Sequence, residues 1–181
     1  NAEADILYSG SGASGIDLDV AAPPPAGRIG TTRGRIGRNS MYKDILLPID
    51  LGNESSWNRA LPAAIENCKA FGANLHVLTV MPDFGSLMVA QFFPDDHEGR
   101  MMQNANDVLH KFVADRVPDD INVQHVVADG TIYKTIIETA EDINADLIIM
   151  GSHRPELQDY LLGPNAARVV RHSSKSVLVV R

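Results

Sequence analysis

A single cysteine, Cys68, in 181 residues excludes an intramolecular disulfide and leaves no cluster of thiolates for zinc or an iron–sulfur centre. A reducing, cytoplasmic setting is the expectation. No apolar run approaches the roughly 18 to 20 residues that span a bilayer, and the N-terminus shows neither the basic start nor the apolar stretch of a signal peptide. Positive charge is in deficit: 16 Lys and Arg against 23 Asp and Glu leave a formal net charge of −7. That field repels phosphate backbones and anionic lipid, so neither nucleic acid nor a membrane is the expected partner. Strong catalytic signatures are missing too. There is no GxxxxGK[ST] loop, no GxGxxG after a strand, no Ser-His-Asp set in a recognisable context and no His pair at an obvious metal-ligand spacing.

What is present falls into two unlike parts. Residues 1–40 carry a Ser/Gly/Ala tract at 9–15, a proline run at 23–25 and a Gly/Arg/Ile alternation at 27–38, a composition that builds no core. The chain starts at Asn1, and Met41 stands just before the first strong strand signal, so the first part reads as a tag or disordered leader. Its Arg28, Arg33, Arg35 and Arg38 fit a linker better than a nucleic-acid arm. Residues 41–181 read as one domain.

That domain alternates two periodicities. KDILLPID (43–50), NLHVLTVM (74–81), INVQHVVA (121–128), ADLIIMG (145–151) and SVLVVR (176–181) are short apolar runs bounded by turn residues, hence five strands. Between them, 55–71, about 97–116, 132–144 and roughly 165–172 space their apolar residues by three and four, hence helices. Thr131 is placed to cap the third helix, and Pro62 conflicts with a first helix that begins at residue 55. Strands apolar at nearly every position belong to a sheet covered on both faces, and strand-helix-strand repetition requires parallel pairing. The fold class is therefore α/β, an open, doubly wound, five-stranded parallel sheet with helices on both faces. A receiver-like α/β fold would want several carboxylates after the first strand, where LGNESS adds only Glu54 to Asp50.

In such a sheet a ligand sits beyond the carboxyl ends of the strands, where strand order reverses. The first strand ends at Asp50, the second at Val80-Met81, the third at Asp129-Gly130, and the fourth runs into Gly151-Ser152-His153-Arg154. Gly163-Pro164-Asn165 then opens the last helix, whose free N–H groups and positive dipole end suit a phosphate. The same glycines also serve turns and caps for purely conformational reasons. Asp50 reads equally as a solvated carboxylate ending a strand, and His153 as a surface turn residue. His76 and His125 read as sheet-face residues, and Cys68 as a small core hydrophobe. FGSLMVAQFF (84–93) reads either as a lid or as an interface patch. SVLVVR, at a sheet edge, should be covered or paired, and an antiparallel two-fold homodimer through Val177 to Val180 is the natural solution.

MYKDILLPID, ADLIIMGSHR and LLGPNAARVVRHSSKSVLVVR resemble the opening strand, fourth strand and closing segment of the universal stress protein family, over about 140 residues. The resemblance implies an adenine-nucleotide α-hydrolase-like fold, dimers, and either an ATP-binding or a non-binding type. It further implies a stress-response role in the cytoplasm, with at most slow ATP hydrolysis. The family's ATP pattern is a glycine, two residues, a second glycine, nine residues, then Gly-Ser or Gly-Thr. Here Gly151 matches the first position, Arg154 replaces the second glycine, eight residues follow, and Gly163 precedes Pro164. Carried over, the pattern implies that Pro48, Ile49 and Asp50 flank the nucleotide, with Asp50 near the ribose or a nucleotide-bound magnesium ion. Val80 would meet the adenine through its backbone. Gly151, Ser152, His153 and Arg154 would follow ribose and phosphates, and Gly163, Asn165 and Ala166 would hold the phosphate tail. Arg154 offers a fixed cation where Pro164 lacks both N–H and hydroxyl. The alternative is a nucleotide-free dimeric interaction module of the same fold.

Overall fold

The computed structural model describes residues 16–20, 40–81, 97–152 and 162–181. Five parallel strands form the expected sheet: β2 (Asp44–Ile49), β3 (Asn74–Met81), β4 (Val123–Asp129), β5 (Leu147–Gly151) and β6 (Ser176–Val180). Ile16–Val20, inside the stretch set apart as a leader, is an exception to that reading: it forms β1, antiparallel to β4. The helices are α1 (Ala60–Phe71), α2 (His97–Arg116), α3 (Ile132–Asp142) and α4 (Pro164–His172).

The strand order is β1-β4-β3-β2-β5-β6. From β2 the chain builds outward through β3 to β4, then returns to add β5 and β6 on the other side of β2. The switch point lies between β2 and β5. Because strand side chains alternate, β2 feeds two cores. Ile45, Leu47 and Ile49 join Ala64, Cys68, Leu109 and Phe112 under α1 and α2. Leu46 joins Leu78, Ile148, Ile136, Ala140 and Val169 under α3 and α4. Cys68 is buried, and desolvation pushes its thiol up to about 11, so it is protonated and inert at neutral pH.

The first helix is shorter than its periodicity suggests. Residues 54–56 form a separate 3-10 turn, and α1 starts at Ala60, which leaves Pro62 in the first helical turn. N–H groups there have no intrahelical acceptor, so proline costs no hydrogen bond. Gly72 ends α1 in the left-handed conformation at φ 67°, its N–H bonded to the Cys68 carbonyl. Thr131 does occupy the N-cap of α3, but its side chain makes no cap bond. Thr135 Oγ1 instead lies 3.2 Å from the Thr131 carbonyl and 3.3 Å from that of Asp129.

At the amino ends of the strands, away from the switch-point ends, Asp44 organises a polar network. Its Oδ1 accepts from Asn74 Nδ2 at 2.9 Å and from the buried His76 Nε2 at 3.0 Å. Burial works to raise the Asp44 carboxyl, but the hydrogen bonds from Asn74 and His76 and the charges of His76 and Lys43 outweigh it, so the group sits below the ordinary range. A depressed folded-state value means the stabilisation is complete above the unfolded value of about 3.9 and is lost as pH falls through the lower folded value. Urea titrations from pH 6 down to 2 should therefore show wild type losing stability below about pH 4 more steeply than Asp44→Asn.

Candidate functional site

Beyond the carboxyl ends of β2, β3 and β5 lies a cleft of about 500 Å³. The ends of β2 and β5 separate there: their register covers only Ile45 with Leu147 and Leu46 with Ile148. The 54–56 turn enters the gap. A Cβ on Gly151 would lie 2.7 Å from the Ser56 carbonyl oxygen and 3.3 Å from that of Ser55. Glycine at 151 is therefore required by the packing of this turn on β5, whether or not a phosphate approaches it. Trp57 anchors the turn from behind: it meets Phe112 of α2 edge-on at 4.9 Å, with the Arg116 guanidinium 5.0 Å from the indole centre.

Pro48, Ile49 and Asp50 line the cleft from β2, Val80 from β3, Gly151 and Ser152 from β5, and Gly163, Asn165 and Ala166 from the start of α4. Nine of the eleven residues singled out from the sequence are thus brought together; His153 and Arg154 lie outside the described residues. The sequence reading missed Ser56 and Gly52, which line the same rim, and Ile132, Ile136 and Met150, which add apolar wall. Ile132 shares its helical face with Ile136, which marked it as core. It stands instead at the mouth of the cleft and stays 46% exposed. Only the topology, which puts the first turn of α3 beside the switch point, gives that away.

Hydrogen bonding differs at the two ends. At the β2 end, Asp50 Oδ1 accepts the Gly52 N–H at 2.9 Å, the side-chain turn typical of aspartate after a strand. The Asp50 N–H donates to Ser56 Oγ at 2.9 Å, and the Asn53 N–H to the Asp50 carbonyl at 3.0 Å. The carboxylate is thereby held at the rim. At the α4 end, Gly163 is the N-cap and Pro164 the first helical residue, with no side-chain cap. The first intrahelical bond runs from the Ala167 N–H to the Gly163 carbonyl at 2.9 Å. The N–H groups of Asn165 and Ala166 precede it and have no acceptor within the helix. The missing N–H of Pro164 is one the helix would have left unused as well. On β5 the Ser152 carbonyl accepts the Gly163 N–H at 3.0 Å and its N–H donates to Val180 of β6 at 2.9 Å, which fixes α4 relative to the sheet.

Between these ends, β3 offers a backbone edge. The Asn74 N–H bonds to the Lys43 carbonyl, and the Met81 carbonyl accepts from Gly130. Alternation along the strand then turns the Val80 carbonyl toward the β2 side, past Ile49, the last residue of β2 in the ladder. Among the described residues, no group of three or more His, Cys, Asp or Glu side chains is placed to hold a metal ion. No described helix is long and apolar enough to cross a membrane.

Comparison with known proteins places the chain in a family. The sequence model of the universal stress protein family matches residues 41–181, and the chain belongs to that family. Universal stress protein G of Escherichia coli O157:H7 is 32% identical over 143 residues, covering 78% of this chain and all of that protein. Universal stress protein MJ0577 of Methanocaldococcus jannaschii is 27% identical over 161 residues, 78% and 96% of the two chains. Its solved structure superposes with a TM-score of 0.59 at 28% identity, over 77% of this chain and 96% of that one. UspA of Lactobacillus plantarum gives 0.60 at 25%, over 79% and 100%. In fold alone, at 16% identity, the chain also resembles an Archaeoglobus fulgidus universal stress protein solved in complex with dAMP, with a TM-score of 0.51 over 78% and 99%.

Proposed function

We propose that the cleft binds an adenine nucleotide, ATP for preference, and that the protein acts in the stress response as a nucleotide-responsive dimer rather than as an enzyme with rapid turnover. The observation that carries this is the polarity of the cleft. Backbone N–H groups at the start of α4 that the helix leaves without an acceptor suit an anion, apolar walls from Ile136 and Met150 suit a base, and Asp50 offers a carboxylate at the other end. The Val80 carbonyl is an acceptor of the kind an adenine amino group requires. Asp50 would stand beside the ribose or a magnesium ion carried by the nucleotide. Among the described residues lining the cleft, no strong base or nucleophile accompanies it. Mass spectrometry of ligand released from the denatured protein tests the reading: ATP, ADP or AMP supports it.

One observation favours the nucleotide-free alternative: Gly151 has a packing reason that needs no ligand. A thermal-shift titration separates the two readings, because a ligand that binds only the folded state raises the melting temperature in proportion to the logarithm of its concentration. Pro164→Ser should sharpen the response. It adds a hydroxyl donor at the phosphate end, and hydrogen bonds to charged groups contribute roughly 1.5 to 3 kcal/mol. ATP affinity measured calorimetrically should rise about tenfold or more by the same scale.

The dimer is proposed through β6. Among the described residues β6 pairs only with β5, and Leu178 remains 39% exposed. The Val180 carbonyl bonds to Ser152 on the β5 side, so alternation directs the backbone groups of Val177 and Val179 outward. Val179→Pro removes one outward N–H without touching the β5 ladder. Light scattering at micromolar concentration should give a dimer for wild type and a monomer for the variant.

A further inference from the structure

The β2 end of the cleft carries a second polar group besides Asp50. Ser56 Oγ accepts the Asp50 N–H at 2.9 Å, and its own hydroxyl proton is directed at the Asn53 carbonyl, 2.8 Å away, with the Asp50 carbonyl at 3.2 Å. A serine hydroxyl has one proton and two acceptor positions. The proton and one acceptor position are committed inside the 50–56 loop, and Ser56 lines the cleft. What it offers a ligand is a single acceptor position. The Asp50 carboxylate beside it is acceptor-only as well, with Oδ1 engaged by Gly52. This end therefore matches a ligand that brings hydrogen-bond donors and no negative charge, whereas the α4 end matches an anion.

We infer that Ser56 is a specificity-determining residue of the cleft: its hydroxyl oxygen accepts a hydrogen bond from a sugar hydroxyl of the bound nucleotide, so the site selects hydroxyl-bearing ribonucleotides over analogues that lack the sugar hydroxyls. The inference rests on the nucleotide reading above and deepens it. The oxygen is well placed for selection because it cannot swing away: Trp57 pins the turn against Phe112, and the Ser56 carbonyl abuts Gly151. An analogue without the hydroxyl leaves the remaining acceptor position of Ser56 facing the ligand without a donor, which weakens binding more than a missing apolar contact does.

The test is a cycle between ligand and side chain, read by calorimetry with ATP and 2′,3′-dideoxy-ATP, each with magnesium, on wild type, Ser56→Ala and Ser56→Thr. Wild type should bind ATP about tenfold or more tightly than the dideoxy analogue. In Ser56→Ala that ratio should fall by about fivefold, the effect of one hydrogen bond, while Ser56→Thr, which keeps the oxygen, should retain it. Equal affinity of wild type for both ligands overturns the inference even if Ser56→Ala does not fold, and leaves the nucleotide reading standing. An unchanged ratio in Ser56→Ala, with both ligands weakened alike, also overturns it by showing a purely structural serine. Wild type that binds neither ligand removes the nucleotide reading and the inference together.

Discussion

Gly151→Val should unfold the protein at a temperature about 6 to 12 °C lower than wild type and abolish the proposed nucleotide binding in the same variant. The reason is geometric. Even the first carbon of a side chain would stand 2.7 Å from the Ser56 carbonyl oxygen, and the obstructing atoms are backbone, not the tip of a flexible side chain. Valine adds two further carbons at a strand end paired on one side with Val180. Either the 50–56 loop moves into the cleft or β5 leaves its register, and with backbone as the obstacle the cost should be about 3 kcal/mol, the top of the usual range for overpacking. Gly151→Ala should show the same two effects at a smaller size. Differential scanning calorimetry and an ATP titration on the same preparations check both. A valine variant with wild-type melting and binding would show that the turn does not pack on β5 as described.

Leu46→Ala should be among the most destabilising of the core truncations. Leu46 is fully buried at the centre of the sheet, in register with His76 of β3 on one side and Ile148 of β5 on the other. Its side chain fills the space under α3 and α4, where Ile136 and Ala140 pack. Strands hydrogen-bonded on both sides cannot move in to close the hole, so the loss should lie toward the upper part of the usual range of about 2 to 5 kcal/mol. That is a large share of the roughly 5 to 15 kcal/mol available to a domain. Urea unfolding should show a lower midpoint with an unchanged slope. The folded fraction should still bind nucleotide, because Leu46 does not reach the cleft.

These two sites show which parts of the structure were legible in the sequence. Leu46 and its strand were, because ILLPI is apolar without alternation and only a sheet covered on both faces accommodates that. The carboxyl-end rim followed from the strand-helix alternation, but the gathering of Asp50, Val80, Gly151 and Asn165 followed from the family resemblance, because alternation alone does not give the strand order. In the sequence Gly151 suits either a phosphate or a turn, yet its fixed requirement comes from Ser56, far earlier in the chain, a contact that no local pattern displays. Ser56 itself was hidden because the apolar spacing of α1 extends backward over the 3-10 turn. Pro62 was the clue that the helix begins later. Thr131 shows the reverse error, a residue of the right type at the right position whose hydroxyl makes no cap. Ile16–Val20 escaped because the surrounding Ser/Gly and Pro runs dominate the composition, while pairing with β4 depends on an edge that exists only in the folded sheet.

The most direct measurement is equilibrium dialysis of nucleotide-stripped protein against labelled ATP with magnesium. Saturation at one ATP per chain, displaced by unlabelled ATP and lost in Gly151→Val, is the predicted result. A wild-type protein that takes up no ATP at about 1 mM, where even a binding free energy of about −4 kcal/mol would register, would contradict it.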